Sequence, residues 1–137
     1  MSETPAAPYP EIDDANRFFW TSGETGVLKF LRCQACREFV HPPAPLCRAC
    51  LSPDLEPEAV SGRATVEAYT VNHHPWHPAF PPPYAVAIVS IEEAPEVRLT
   101  TNVVNCPLES VRIGLPVQAT FRQVGPAWLP VFEPRQA

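Results

Sequence analysis

Cys33, Cys36, Cys47 and Cys50 form two C-x2-C pairs separated by ten residues. Two residues between cysteines let both sulfurs of a pair reach one ion, and the ten between pairs allow a short excursion and return. Four thiolates complete a tetrahedral zinc shell and leave no position open for water, so such a site is structural. A redox dithiol or incidental cysteines are the competing reading, which one pair alone would leave open; two pairs at this spacing favour zinc. The unit around them is too short to bury a core of its own. Metal binding must supply much of its folding free energy, roughly 10–16 kcal/mol by the standard of zinc-finger peptides. Ribbons of this kind often carry glycine just after each pair, where the chain turns tightly around sulfur. Here Arg37 and Leu51 occupy those places, a departure that threatens distortion of the turns but removes no ligand. Cys106 has no cysteine near it in sequence and reads as a small buried hydrophobe.

Composition narrows the rest. With 19 prolines and 5 glycines in 137 residues, long helices are disfavoured, because proline removes a backbone donor and clashes with the preceding turn. Short strands and structured loops are expected. Net charge is −5, and Lys29 is the only lysine beside nine arginines. A nucleic-acid binder needs a basic surplus to displace counterions, and an anionic membrane surface asks for the same; neither partner is expected. No apolar run approaches the ~20 residues of a membrane-spanning helix, and Met1 to Pro10 lacks the regions of a signal peptide. A cytoplasmic location is expected, where thiols stay reduced and cysteines serve metals.

Along the chain, residues 1–10 read as a flexible tail and 11–26 as an N-terminal helical segment. Asp13 and Asp14 are placed to cap it, Phe18, Phe19 and Trp20 are too apolar for solvent, and Gly23 and Gly26 end it. Residues 27–58 read as the zinc ribbon: a strand over Val27–Arg32, a return over Phe39–Pro45, and a polar link over Leu51–Glu58. Residues 59–137 read as a second, all-β unit. Strands are expected over Arg63–Asn72, Tyr84–Ile91, Val97–Val104, Val117–Gln123 and Trp128–Phe132, with one helical turn over Pro107–Val111. Val97, Leu99, Thr101 and Val103 share one face, as do Val117, Ala119 and Phe121, which is the period of a half-buried strand. Five short strands with a small helical turn before the fourth fit a Greek-key barrel of the OB type; an open sandwich is the alternative.

Between the first two of these strands, His73 to Pro83 packs together three of the four histidines, Trp76, Phe80 and five prolines. A second metal site would need three converging ligands. A catalytic histidine would need a partner group, and none is evident. A stiff recognition surface, with Trp76 and Phe80 offering contact area, is favoured over both. A packed crossover loop is the plain alternative.

Taken together, these segments resemble the acyl-CoA-associated zinc-ribbon plus OB-fold family catalogued as domain of unknown function thirty-five. The resemblance runs from about Ala15 to Pro134. It rests on Phe19-Trp20, Gly26-x-Leu28, the four cysteines with Pro42-Pro43 between them, and Ser61-Gly62-Arg63-Ala64-Thr65-Val66. It continues through Asn72 to Phe80 with Pro83-Tyr84, Leu99 to Val104, Val111-Arg112-Ile113-Gly114, Pro116-Val117 and Leu129-Pro130-Val131-Phe132. The resemblance implies an N-terminal helix, a rubredoxin-like ribbon and an OB-fold. It also implies a role as a non-catalytic partner of thiolase-like enzymes, including lipid-transfer-like aldolases, or of MaoC-type hydratases, with the barrel near the acyl-CoA.

Three functions follow for comparison. The leading one is an accessory subunit that binds or channels acyl-CoA and docks on such an enzyme. Phe19, Trp20, His74, Trp76, His77, Phe80 and Arg63 are its candidate contacts. Arg17, Arg32 and Arg98 join Arg63 as candidates for the CoA phosphates, since guanidinium forks bind phosphate bidentately. A single-stranded nucleic-acid binder has the stacking aromatics but lacks the basic groove. An independent acyl-CoA enzyme working through the His73–His77 loop lacks an assembled base and nucleophile.

Overall fold

The computed structural model describes residues 6–136; of the tail expected over 1–10, residues 1–5 lie outside them. The helical segment is shorter than expected. A single turn, α1 (Arg17–Trp20), is followed by a 3-10 turn over Ser22–Glu24. Asp13 does organise its start: the carboxylate accepts the amides of Ala15 and Asn16, both at 2.9 Å, while Asn16 Oδ1 accepts the Asp13 amide at 2.8 Å. Asp14 does not cap; it pairs with Arg17 at 2.7 Å. Beyond α1 the chain passes close to the second unit. A Cβ at Gly23 would sit 2.6 Å from Trp128 Cβ and 2.8 Å from the Phe121 ring, so only glycine permits this approach.

The ribbon is a three-stranded antiparallel sheet in the order β2-β1-β3, built from β1 (Lys29–Cys33), β2 (Phe39–Val40) and β3 (Leu55–Ala59). Strand β3 corrects the expectation of a polar link. Leu55-Glu56-Pro57-Glu58-Ala59 shows no apolar alternation, because it lies at an edge with little to bury. Proline is tolerated on such an edge, where Pro57 stands opposite Leu31. Polar groups hold it instead: Glu58 receives Arg32 at 2.6 Å and Arg37 at 3.0 Å. The Arg32 hydrogen bond, helped by Arg37, lowers the Glu58 carboxyl below its ordinary pKa.

The second unit is a closed five-stranded barrel of β4 (Arg63–Asn72), β5 (Tyr84–Ile91), β6 (Ala94–Val103), β7 (Pro116–Val124) and β8 (Ala127–Pro134). Its order is β4-β5-β6-β8-β7, closed by Arg63–Thr65 against Pro116–Gln118. Only the β6–β8 contact is parallel. This is the OB arrangement, and the sandwich is excluded. Val97, Leu99, Thr101 and Val103 all point inward. On β7 the alternation fades after Val117, since Ala119 and Phe121 are only half-buried against the core.

Two apolar clusters result, and β1 serves both. Phe30 faces the main core with Leu28, Phe39, Phe19 and the barrel interior. Its neighbours Leu31 and Cys33 face a small second cluster with Val40 and Cys47. Phe30 is fully buried, a burial that contributes roughly 1.5–3 kcal/mol. The strand's period of two thus ties the metal unit to the barrel.

Candidate functional site

The four cysteine sulfurs lie within 4.8 Å of one another. Cys33 and Cys50 sulfurs are 3.5 Å apart, and those of Cys36 and Cys47 are 3.6 Å apart. A tetrahedron with metal–sulfur bonds of about 2.3 Å has edges of about 3.8 Å, so the cage fits one zinc ion. Amides point at the sulfurs as well: Cys36 N–H donates to Cys33 Sγ at 3.5 Å and Ala49 N–H to Cys47 Sγ at 3.4 Å. Arg37 and Leu51 adopt φ values of 69° and 65°, and their amides bond the carbonyls of Cys33 and Cys47 at 2.9 and 2.8 Å. The missing glycines therefore do not distort the turns. The chain keeps the left-handed geometry, at a cost of about 1–2 kcal/mol for each side chain held there.

The electrostatics call for a cation. The Cys36 amide leads in drawing the Cys33 thiol down to about 6, and the Cys50 amide leads in lowering the Cys47 thiol. The Glu38 amide lowers Cys36, but desolvation and the neighbouring sulfurs outweigh it and push that thiol up to about 12. Cys50 is raised likewise, against the pull of the Ser52 amide, by its hydrogen bond with Cys33 and by burial. Four thiolates this close repel one another unless a divalent ion sits among them. All four positions belong to protein ligands, so the ion is a fold element and not a reagent. Among the described residues no other three such ligands converge. Cys106 packs half-buried against the main core.

A groove runs from the ribbon across the barrel. Its first cavity, about 630 Å³, is bounded by α1 residues Phe19 and Trp20, by His41–Pro43 of the ribbon, and by β6 and β8. The second, about 550 Å³, lies between Phe80, Pro81 and Tyr84 and the same barrel strands. Thr100, Thr101, Asn102, Arg122 and Leu129 border both, so the two cavities adjoin along β6. Two of the groove's polar side chains are engaged within the fold. Thr101 Oγ1 donates to the Pro130 carbonyl at 2.9 Å, and Asn102 Nδ2 to the Ala85 carbonyl at 2.9 Å. His41 sits with its ring centroid 5.0 Å from those of both Phe19 and Phe30. Its Nδ1 is buried without a hydrogen-bond partner, and burial lowers its pKa to about 4.

The expected contact residues fall in three places. Phe19, Trp20 and Phe80 line the groove. His77 supports Phe80 at 5.6 Å and accepts the Ala79 amide on Nδ1 at 3.0 Å. His74 and Trp76 line neither cavity; they pair 4.2 Å apart at the tip of the β4–β5 loop, where Trp76 is 72% exposed. Its indole N–H is nonetheless fixed on Asn72 Oδ1 at 2.9 Å. Arg63 stands apart, paired with Glu92 at 2.6 Å near the barrel closure. The other phosphate candidates are also held by carboxylates: Arg17 by Asp14, Arg32 by Glu58 and Arg98 by Glu67. Two groove residues escaped the sequence reading, His41 and Arg122. Neither sits in a motif, and only the packing of ribbon on barrel reveals them.

Comparison with known proteins agrees with this architecture. The ChsH2 rubredoxin-like zinc ribbon domain matches residues 20–56, and the ChsH2 C-terminal OB-fold domain matches 57–122. A DUF35 domain-containing scaffold protein of Methanocaldococcus jannaschii is 33% identical over 96 residues, covering 69% of this chain and 67% of that protein. The chain belongs to the DUF35 family. A further DUF35 relative is a chain of the Ltp2-ChsH2(DUF35) aldolase, which is 38% identical with a TM-score of 0.83 over 92% of this chain and 98% of that one. A probable enoyl-CoA hydratase alpha subunit of Thermomonospora curvata is 39% identical over 128 residues, or 93% of this chain. This DUF35 chain spans 40% of that hydratase subunit's length. Among the described residues no helix is long and apolar enough to cross a membrane.

Proposed function

We propose that this DUF35 protein is a non-catalytic accessory subunit that docks on a thiolase-like aldolase or a MaoC-like hydratase, and that its groove binds or channels acyl-CoA. The observation that carries the reading is the groove's chemistry. Its walls are largely apolar, formed by Phe19, Trp20, Leu99, Leu129 and Val131 among others. Its ionisable members are poorly suited to reaction. One oxygen of the Asp13 carboxylate accepts two backbone amides, and His41 is held neutral by burial among aromatic rings. A site built this way holds a molecule and leaves the chemistry to a partner.

Docking is supported by the loop tip. Trp76 is exposed yet pinned by Asn72 and flanked by His74, so little side-chain freedom is lost when it meets a partner. Relatives are named as a hydratase alpha subunit, a scaffold protein and a component of an aldolase, which supports an enzyme partner. The test is co-expression with the thiolase-like or hydratase-like subunit of its own source, followed by sizing and affinity measurement. A stable complex is expected, and Trp76→Ala should weaken it by about 2 kcal/mol if the indole is an anchor. A chain that stays free beside every such subunit would overturn the docking reading.

A further inference from the structure

Of the nine arginines in the chain, five are tied to carboxylates: Arg17, Arg32, Arg37, Arg63 and Arg98. Arg135 donates its Nε to the Val117 carbonyl at 3.2 Å. Arg122 differs from all of these. It borders both cavities of the groove, and among the described residues no carboxylate lies within ion-pair distance of it. Its guanidinium lies over the Phe80 ring, 5.7 Å from the centroid, an arrangement that orients the fork without neutralising it. On β7 it stands opposite Leu129 of β8, which also borders both cavities. A free positive charge therefore sits where two mostly apolar cavities adjoin.

We propose that Arg122 is the anion-reading residue of the groove, and that the groove selects amphipathic anions. The apolar portion of the ligand lies along the Phe19–Trp20 end or the Phe80–Tyr84 end, and its anionic group meets the guanidinium between them. This rests on the acyl-CoA reading above and deepens it, since it names the side chain that discriminates charged from neutral ligands. The anion has two chemical sources, a phosphate of the CoA carrier or a carboxylate on the acyl part, and Arg122 suits either by a bidentate contact.

Titration of the full, zinc-loaded chain tests this, with tryptophan fluorescence or calorimetry as the readout. The probes are decanoyl-CoA, CoA, decanoate and neutral octanol, and the variants are Arg122→Gln and Arg122→Lys. Loss of a hydrogen-bonded charge is expected to weaken the anionic probes by about tenfold to a hundredfold in Arg122→Gln. Arg122→Lys should recover part of that loss, while octanol binding stays unchanged in both. Weakening confined to the two CoA probes assigns the phosphate, and weakening of decanoate assigns the carboxylate. Equal loss for octanol and the anions would mean a structural role and overturn the proposal. If wild type binds decanoyl-CoA and Arg122→Gln binds it equally, Arg122 is excluded while the acyl-CoA reading stands. If wild type binds none of the anions, that reading falls as well.

Discussion

The ribbon and the barrel reach stability by opposite means. The barrel closes five strands around an interior of Val66, Val89, Ile91, Val117, Phe132 and their neighbours. Every strand has two partners somewhere along its length, and apolar burial is its main source of free energy. The ribbon has short strands, one of them only two residues long, and its own cluster is Leu31, Cys33, Val40 and Cys47. Half of that cluster is metal ligand. The contrast shows how a small unit can present a precise wall to a groove without a core of its own. The ion stabilises it from one side, and Phe30 and Phe39 anchor it to the barrel core from the other.

The strongest way to break the contrast is to remove a ligand. Cys47→Ser should lower bound zinc from one equivalent to nearly none, read by metal analysis of the purified chain. Circular dichroism should still show the barrel's β signal. Loss of the whole fold would mean that the barrel depends on the metal after all. The next largest effect is expected at the joint. Phe30→Ala removes a fully buried ring and should cost about 3–5 kcal/mol in denaturant unfolding, with zinc retained at saturating concentration.

Smaller changes sharpen the same picture. The His41 pKa falls from 6.5 to about 4 by burial, so the fold favours the neutral ring and the unfolded chain binds the extra proton. Stability from this group is complete above about pH 6.5 and is lost as pH falls toward 4. His41→Phe keeps a ring between Phe19 and Phe30 and removes the orphaned nitrogen. It should raise stability at pH 7 by about 1 kcal/mol and flatten the acid dependence relative to wild type, measured by thermal melts across that range. The smallest effect is expected at the turns. Leu51→Gly relieves a left-handed side chain at φ 65°, partly offset by the freedom glycine gains when unfolded. A gain of about 0.5–1 kcal/mol in zinc-saturated protein is expected, and a loss would show that Leu51, although 70% exposed, packs to some purpose.

Much of this architecture is legible in the residues because it rests on short-range rules. The cysteine spacing reports the cage, and the alternation from Val97 to Val103 reports an inward face. What stays hidden depends on contacts between distant segments. Strand β3 carries proline and glutamates because it is an edge held by Arg32 and Arg37, so no apolar pattern marks it. The 3-10 turn after α1 packs on the barrel where Gly23 meets Phe121 and Trp128, residues about a hundred positions away. Arg63 looks like a phosphate contact until Glu92 is found beside it, and Arg122 looks ordinary until Phe80 and two cavities surround it.

Hydrogen exchange on the full chain, before and after zinc chelation, tests the central claim most directly. Protection is expected to be lost in β1, β2 and β3, while β5, β6 and β8 keep theirs. Equal loss across ribbon and barrel, or no loss in the ribbon once the metal is gone, would contradict it.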